Sequence, residues 1–113
     1  MPAQTPLEIA PRELKQRLDS GEKITLIDVR EPHEHAVCRI DGSELIPLRT
    51  APQALASLKE KAAAGLVVVY CHHGVRSLQA VTWLRRQGVA DCQSLQGGIN
   101  LWSTAVDPKA PKY

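Results

Sequence analysis

No apolar run in this 113-residue chain approaches the roughly twenty residues a helix needs to cross a bilayer. The longest, Leu66 to Tyr70, has five. Charge of one sign is also scarce. Lys and Arg number 14 and Asp and Glu 12, leaving a formal charge of +2. The basic residues are scattered, with Arg85-Arg86 the longest run, so neither nucleic acid nor a membrane surface is expected as a partner. Cysteine is sparse and odd in number: Cys38, Cys71 and Cys92, without close pairing, argue against a disulfide framework. The opening stretch, MPAQTPLEIAPREL, lacks the basic-then-apolar pattern of a signal peptide. Internal repeats, low-complexity segments and linkers are missing as well. These absences lead to the expectation of one cytoplasmic, reduced domain, with a monomer as the default.

What is present is an ordinary globular mixture, 43% hydrophobic and 23% charged. A chain of this length buries roughly two-thirds of its unfolded surface, enough for a core without metal or disulfide. Pro11 to Ser20 reads as a helix, with Leu14 and Leu18 on one face and Gly21 as its stop. Ile24 to Val29 is a β-branched-rich strand, EPHEHAV a short helical turn, and Asp41-Gly42 a turn. Glu44 to Leu48 suggests a short strand, and Pro52 to Ala64 a helix ending before Gly65. LVVVY, apolar on both faces, belongs in the middle of a helix-covered sheet. Ser77 to Gln87 follows as a helix, Val89 to Ser94 as a last strand, and LQGGINLWS as a glycine turn into a final helix. Alternation of strands and helices predicts an α/β fold with a mainly parallel sheet. The tail is expected to run extended.

Chemistry concentrates in one stretch, VVVYCHHGVRS. Ligands of open α/β sheets gather at the carboxyl ends of strands, and Cys71 stands at such an end. Between it and the helix opening at Ser77, Gly74 permits a tight turn whose N–H groups can point inward. The helix N-terminus and Arg76 add positive charge, which favours thiolate and makes Cys71 a candidate nucleophile. A lone cysteine is more often a small buried hydrophobe. Its position here, after the strand, before the helix and close to Arg76, reverses that expectation.

Three segments, LIDVREPHEHAVCRIDGSELIPL, VVVYCHHGVRS and LQGGINLW, resemble the signature segments of the rhodanese family in their order, over about Pro6 to Trp102. The resemblance implies a five-stranded, mainly parallel sheet flanked by helices on both faces. Its core would span about residues 6–102, with 103–113 as an extended tail. It implies a sulfurtransferase that carries sulfane sulfur as a persulfide on Cys71, taken from thiosulfate or another donor and passed to cyanide, a thiol or a protein. The loop His72, His73, Gly74, Val75 and Arg76, closed by Ser77, would surround the sulfur, with Arg76 binding an anionic donor or stabilising the thiolate. Asp28 and Arg30 match the family's Asp-x-Arg, a supporting charge pair, while Gly97 and Gly98 match the turn before the last helix and Trp102 is expected in the core. No cofactor and no metal are implied. Two positions depart from the pattern: Cys38 and Arg39 replace a common glycine and histidine. Cys92 is expected as a buried apolar residue. The end, GGINLWSTAVDPKAPKY, resembles rhodanese-like domains attached to adenylyltransferases of molybdopterin- and thiamine-type sulfur transfer.

Other readings meet specific obstacles. Cysteine phosphatases and arsenate reductases also close a cysteine cradle with arginine, but phosphatases need five intervening residues to ring a tetrahedral phosphate. Here there are four, His72 to Val75, a ring better matched to one sulfur atom. Cys71, His72 and His73 are adjacent and cannot easily converge on one tetrahedral ion, and His33 and His35 point apart. A non-catalytic module is disfavoured by the retention of Cys71, Gly74 and Arg76. A persulfide carrier for a protein partner, weakly active on small molecules, remains the alternative.

Overall fold

The computed structural model describes residues 6–107. Its centre is a five-stranded sheet in the order β1-β5-β4-β2-β3, every neighbouring pair parallel. The strands are β1 (Glu8–Ile9), β2 (Ile24–Asp28), β3 (Glu44–Leu45), β4 (Leu66–Tyr70) and β5 (Cys92–Leu95). The helices are α1 (Pro11–Asp19), α2 (Pro32–Val37), α3 (Leu55–Ala64), α4 (Val75–Arg86) and α5 (Gly98–Ala105). The α/β class and parallel sheet expected from the alternating pattern are those observed. Among the described residues no helix is long and apolar enough to cross a membrane.

Strand β4 explains the layering. Its side chains alternate between two cores, as period-two geometry requires. Val67 and Val69 join Leu58, Ala80, Val81, Leu84 and Cys92 under α3 and α4. Val68 and Tyr70 join Leu14, Leu26, Leu95, Ile99 and Trp102 on the opposite face, under α1 and α5. Burial of both faces is why the run is continuously apolar. Trp102 is core, as expected.

Several boundaries move for identifiable reasons. Strand β1 has only two residues, too few to show a period, and forms by pairing with β5 (Glu8 beside Ser94, Ile9 beside Leu95). The strand expected over Glu44–Leu48 is cut short at Leu45; the Ile46 and Leu48 N–H groups donate to the Asp28 and Val29 carbonyls, successive rather than alternate residues, as the chain leaves the ladder for a 3-10 turn. The helix expected from Pro52 begins at Leu55, after a 3-10 turn over Leu48–Ala54 that contains the proline. Residues 89–91 do not extend β5, because the Val89 N–H donates to the Leu84 carbonyl and finishes α4. At the far end, residues 103–105 belong to α5 rather than to an extended tail. Ser103 is buried there, so continuing the helix covers more of the core than an extended strand would. Residues 108–113, the rest of the expected tail, lie outside the described residues.

Candidate active site

Strand β4 delivers the chain to the carboxyl edge of the sheet at Tyr70, and Cys71 follows, 1% exposed. The backbone then reverses through His72 and His73 to Gly74, whose φ of +103° suits glycine and disfavours side-chain-bearing residues. Gly74 caps α4, which opens at Val75, two residues before the expected start. Val75, Arg76 and Ser77 are therefore the first helical turn, and the loop proper is His72 to Gly74. This tighter turn aims N–H groups at the cysteine sulfur. Gly74 N–H donates to Sγ at 3.1 Å and Ser77 N–H at 3.3 Å. The Ser77 hydroxyl lies 3.4 Å from the same sulfur.

Behind Ser77 stands Ser94 of β5, with the two hydroxyl oxygens 2.7 Å apart and both residues fully buried. Parallel register places Ser94 beside Val69, on the sheet face that α4 covers. The sequence reading did not single out Ser94. Its trace was a polar pair, Gln93 and Ser94, inside a strand that is buried along its whole length.

The turn before α5 locks the loop from the other side. Ile99 N–H donates to the Cys71 carbonyl at 2.9 Å and Asn100 N–H to the His72 carbonyl at 3.0 Å. Two backbones come this close only because of Gly98: its φ is +62°, and a Cβ there would collide with the carbonyl oxygens of Cys71 and His72. The matched glycine pair thus has a steric reason.

Arg76 lies at the rim, about one-third exposed, and its guanidinium meets Glu34 end-on. Nη1 donates to Oε1 at 2.7 Å and Nη2 to Oε2 at 2.9 Å. Glu34 is nearly buried and also accepts the Glu31 N–H, completing a capping box at the start of α2. The sequence marks EPHEHAV as a short helical turn; neither the capping box nor a pairing across 42 residues is legible there. His72 and His73 stack with ring centroids 3.9 Å apart. Burial, then the neighbouring His73 and the two arginines, hold His72 below the ordinary histidine range, with the Glu34 carboxylate opposing them. His73 and Val75 face solvent.

Asp28 and Arg30 occupy the adjacent strand end, for Asp28 pairs with Tyr70 in register. Both are fully buried. Arg30 donates Nε to Oδ1 at 2.9 Å and Nη2 to Oδ2 at 2.7 Å, and its Nη2 also reaches the Cys38 carbonyl at 2.6 Å. His35 Nδ1–H donates to Asp28 Oδ2 at 2.8 Å, so this histidine serves the charge pair. Cys38 itself has an extended backbone, φ −160°, which needs no glycine, and packs in the second core. Arg39 is exposed and its Nη1 approaches the His35 carbonyl. Cys92 is fully buried, and burial pushes its thiol above the usual range.

Comparison with known proteins agrees with this geometry. The family model for the rhodanese-like domain matches residues 10–105. The probable adenylyltransferase/sulfurtransferase MoeZ of Mycobacterium tuberculosis is 43% identical over 107 residues, which cover 93% of this chain and 26% of that protein. The chain therefore spans about a quarter of that relative. The thiosulfate sulfurtransferase GlpE of Pseudomonas aeruginosa is 34% identical over 94 residues, covering 83% of this chain and 81% of GlpE. Among solved structures, a rhodanese-like domain protein from Staphylococcus aureus superposes with a TM-score of 0.77 at 30% identity, covering 94% of this chain and 97% of that one. With its family model matched along most of its length and a similar protein of nearly the same extent named a thiosulfate sulfurtransferase, the chain belongs to the rhodanese-like sulfurtransferase family.

Proposed function

We propose that the protein transfers sulfane sulfur through a persulfide on Cys71. The observation that carries this reading is the buried thiol at the head of α4, with Gly74 N–H and Ser77 N–H directed at its sulfur. Donors fixed around one atom stabilise negative charge there, whether on a thiolate or on a bound sulfur, without reorganising during reaction. With thiosulfate as donor, the Cys71 thiolate attacks the outer sulfur. The new S–S bond forms as the bond to the sulfonate sulfur breaks, and sulfite leaves with that electron pair. The persulfide anion then gives its outer sulfur to cyanide, a thiol or a protein acceptor, and the thiolate returns. The four residues between Cys71 and Arg76 make a ring for one sulfur atom, and negligible hydrolysis of aryl phosphates is the corresponding expectation. Three unpaired thiols suit a reducing compartment such as the cytoplasm.

A second reading, a persulfide carrier for a protein, is favoured by a groove of about 610 Å³ beside the loop, lined by His73, Val75, Leu78, Trp83 and Arg86. Its edge carries Val75, an exposed apolar side chain next to Gly74. Similarity to MoeZ, a multi-part protein by its coverage, points the same way.

Intact mass before and after incubation with thiosulfate tests the persulfide. One added sulfur atom is expected on Cys71, removed by cyanide or a reducing thiol. Cys71→Ser should stay unmodified, while Cys38→Ser and Cys92→Ser should still load. Sulfur found on Cys38 or Cys92 would assign the nucleophile elsewhere.

A further inference from the structure

A guanidinium beside a nucleophilic cysteine invites the view that it stands ready for an anionic donor. Its surroundings say otherwise. Both terminal nitrogens of Arg76 are engaged by the two oxygens of Glu34, at 2.7 and 2.9 Å, so a negative charge already lies against the positive one. Glu34 is not a loose surface partner. Its side chain is 11% exposed, and its Oε1 is held by the Glu31 N–H that starts α2. The carboxylate sits close enough to the loop for its field to act on His72. An approaching donor therefore meets a thiolate and a nearly neutral pair.

From this we infer that Glu34 sets the charge selectivity of the sulfur donor: it offsets Arg76 and disfavours dianionic donors relative to donors carrying one negative charge. The inference rests on the sulfurtransferase reading of Cys71. Glu34 acts through Arg76 and through its own field, as a positioning and selectivity residue. Because Coulomb energy is proportional to donor charge, the change on neutralising Glu34 should, for a dianion, be the square of that for a monoanion.

Two donors of like chemistry make the comparison. Thiosulfate carries two charges and releases sulfite; the methanethiosulfonate ion carries one and releases methanesulfinate, the sulfur passing to the Cys71 thiolate in both. Glu34→Gln keeps the shape and an oxygen for the Glu31 N–H. It is expected to raise kcat/KM about tenfold for thiosulfate and about threefold for methanethiosulfonate, mostly through KM, with the gain shrinking as salt is added. Glu34→Asp keeps the charge and should retain the wild-type ratio between donors. A Glu34→Gln variant that lowers both donors equally, or leaves their ratio unchanged, would show that Glu34 only shapes the loop and overturn the proposal.

The wild type supplies a measurement that needs no variant. With Arg76 offset, its kcat/KM for thiosulfate should not fall as salt rises from low to moderate concentration, whereas a steep fall would reveal an uncompensated cation and overturn the proposal. Intact mass separates the two levels. If wild-type Cys71 accepts sulfur from neither donor, the sulfurtransferase reading fails and the Glu34 proposal with it. If Cys71 loads but the ratio does not move, only the role of Glu34 fails.

Discussion

Arg30 and Arg76 each face a carboxylate across two short hydrogen bonds, yet they sit in different solvents. The side chains of Arg30 and Asp28 are both 0% exposed, whereas those of Arg76 and Glu34 are 35% and 11% exposed. In the first pair, water is gone and every bond must come from protein: Arg30 satisfies Asp28 and the Cys38 carbonyl, and His35 supplies a further donor to Asp28. Such a group cannot reorient without leaving charge unpaired, so it holds the ends of β2 and α2 in place. The second pair is partly screened and touches the rim, where an incoming charge can compete with it. Burial, more than residue type, separates a charge pair that holds the frame from one that an incoming charge can reach.

The sharpest way to break this comparison is to remove each arginine in turn. Arg30→Met leaves Asp28 buried without its main partner, and should cost about 3–5 kcal/mol in denaturant unfolding. Arg76→Met should cost less, about 1–2 kcal/mol, since removing the rim arginine opens Glu34 to water and its Oε1 keeps the Glu31 N–H. Equal losses would mean that burial does not distinguish the two.

Gly98→Ala tests whether the frame also includes the clamp on the loop. Its Cβ would press on the carbonyl oxygens of Cys71 and His72, so a loss of about 1–3 kcal/mol is expected, together with slower sulfur loading of Cys71 by intact mass. Unchanged stability would show that α5 yields easily.

Ser94→Ala is milder and sharpens the picture at the sulfur. It removes the buried hydroxyl behind Ser77, leaving that group free to turn away from Sγ. Loading from thiosulfate should slow by about threefold to tenfold, the scale of one hydrogen bond. Ser94→Thr, which restores a hydroxyl, should recover part of the rate; no recovery would assign the loss to packing.

The smallest effect concerns pH. His72 is held below the ordinary histidine range by burial first and by His73 next. Its unfolded form therefore binds a proton more readily than its folded form, so its stabilising contribution is present above the ordinary value and is lost as pH falls below it. His72→Asn should flatten the acid side of the stability profile between the ordinary and the lowered value. An unchanged slope would show that His72 does not contribute.

How much of this could be read from the chain differs by residue. Cys71, Gly74 and Arg76 were legible because they lie in one short segment between an unmistakable buried strand and a helix. Asp28 and Arg30 were legible as a pair only through the resemblance to the family's Asp-x-Arg, and Gly97-Gly98 because a glycine pair before an apolar run marks a turn. Glu34 was seen only as part of EPHEHAV, since its partner is 42 residues away. Ser94 and β1 were missed for a related reason: a two-residue strand has no period, and a serine in a strand gives no sign of what the next layer places against it.

Composition and local pattern by themselves determined the α/β class, the buried central strand and the position of the thiol at its carboxyl end, because these follow from periodicity and turn chemistry within a few residues. The partners were decided only in three dimensions. Parallel register set Ser94 behind Ser77. The fold placed α2 within side-chain reach of the head of α4, which brought Glu34 to Arg76. Charge interactions depend on distance and on exclusion of water, and both are properties of the folded layers rather than of neighbours along the chain.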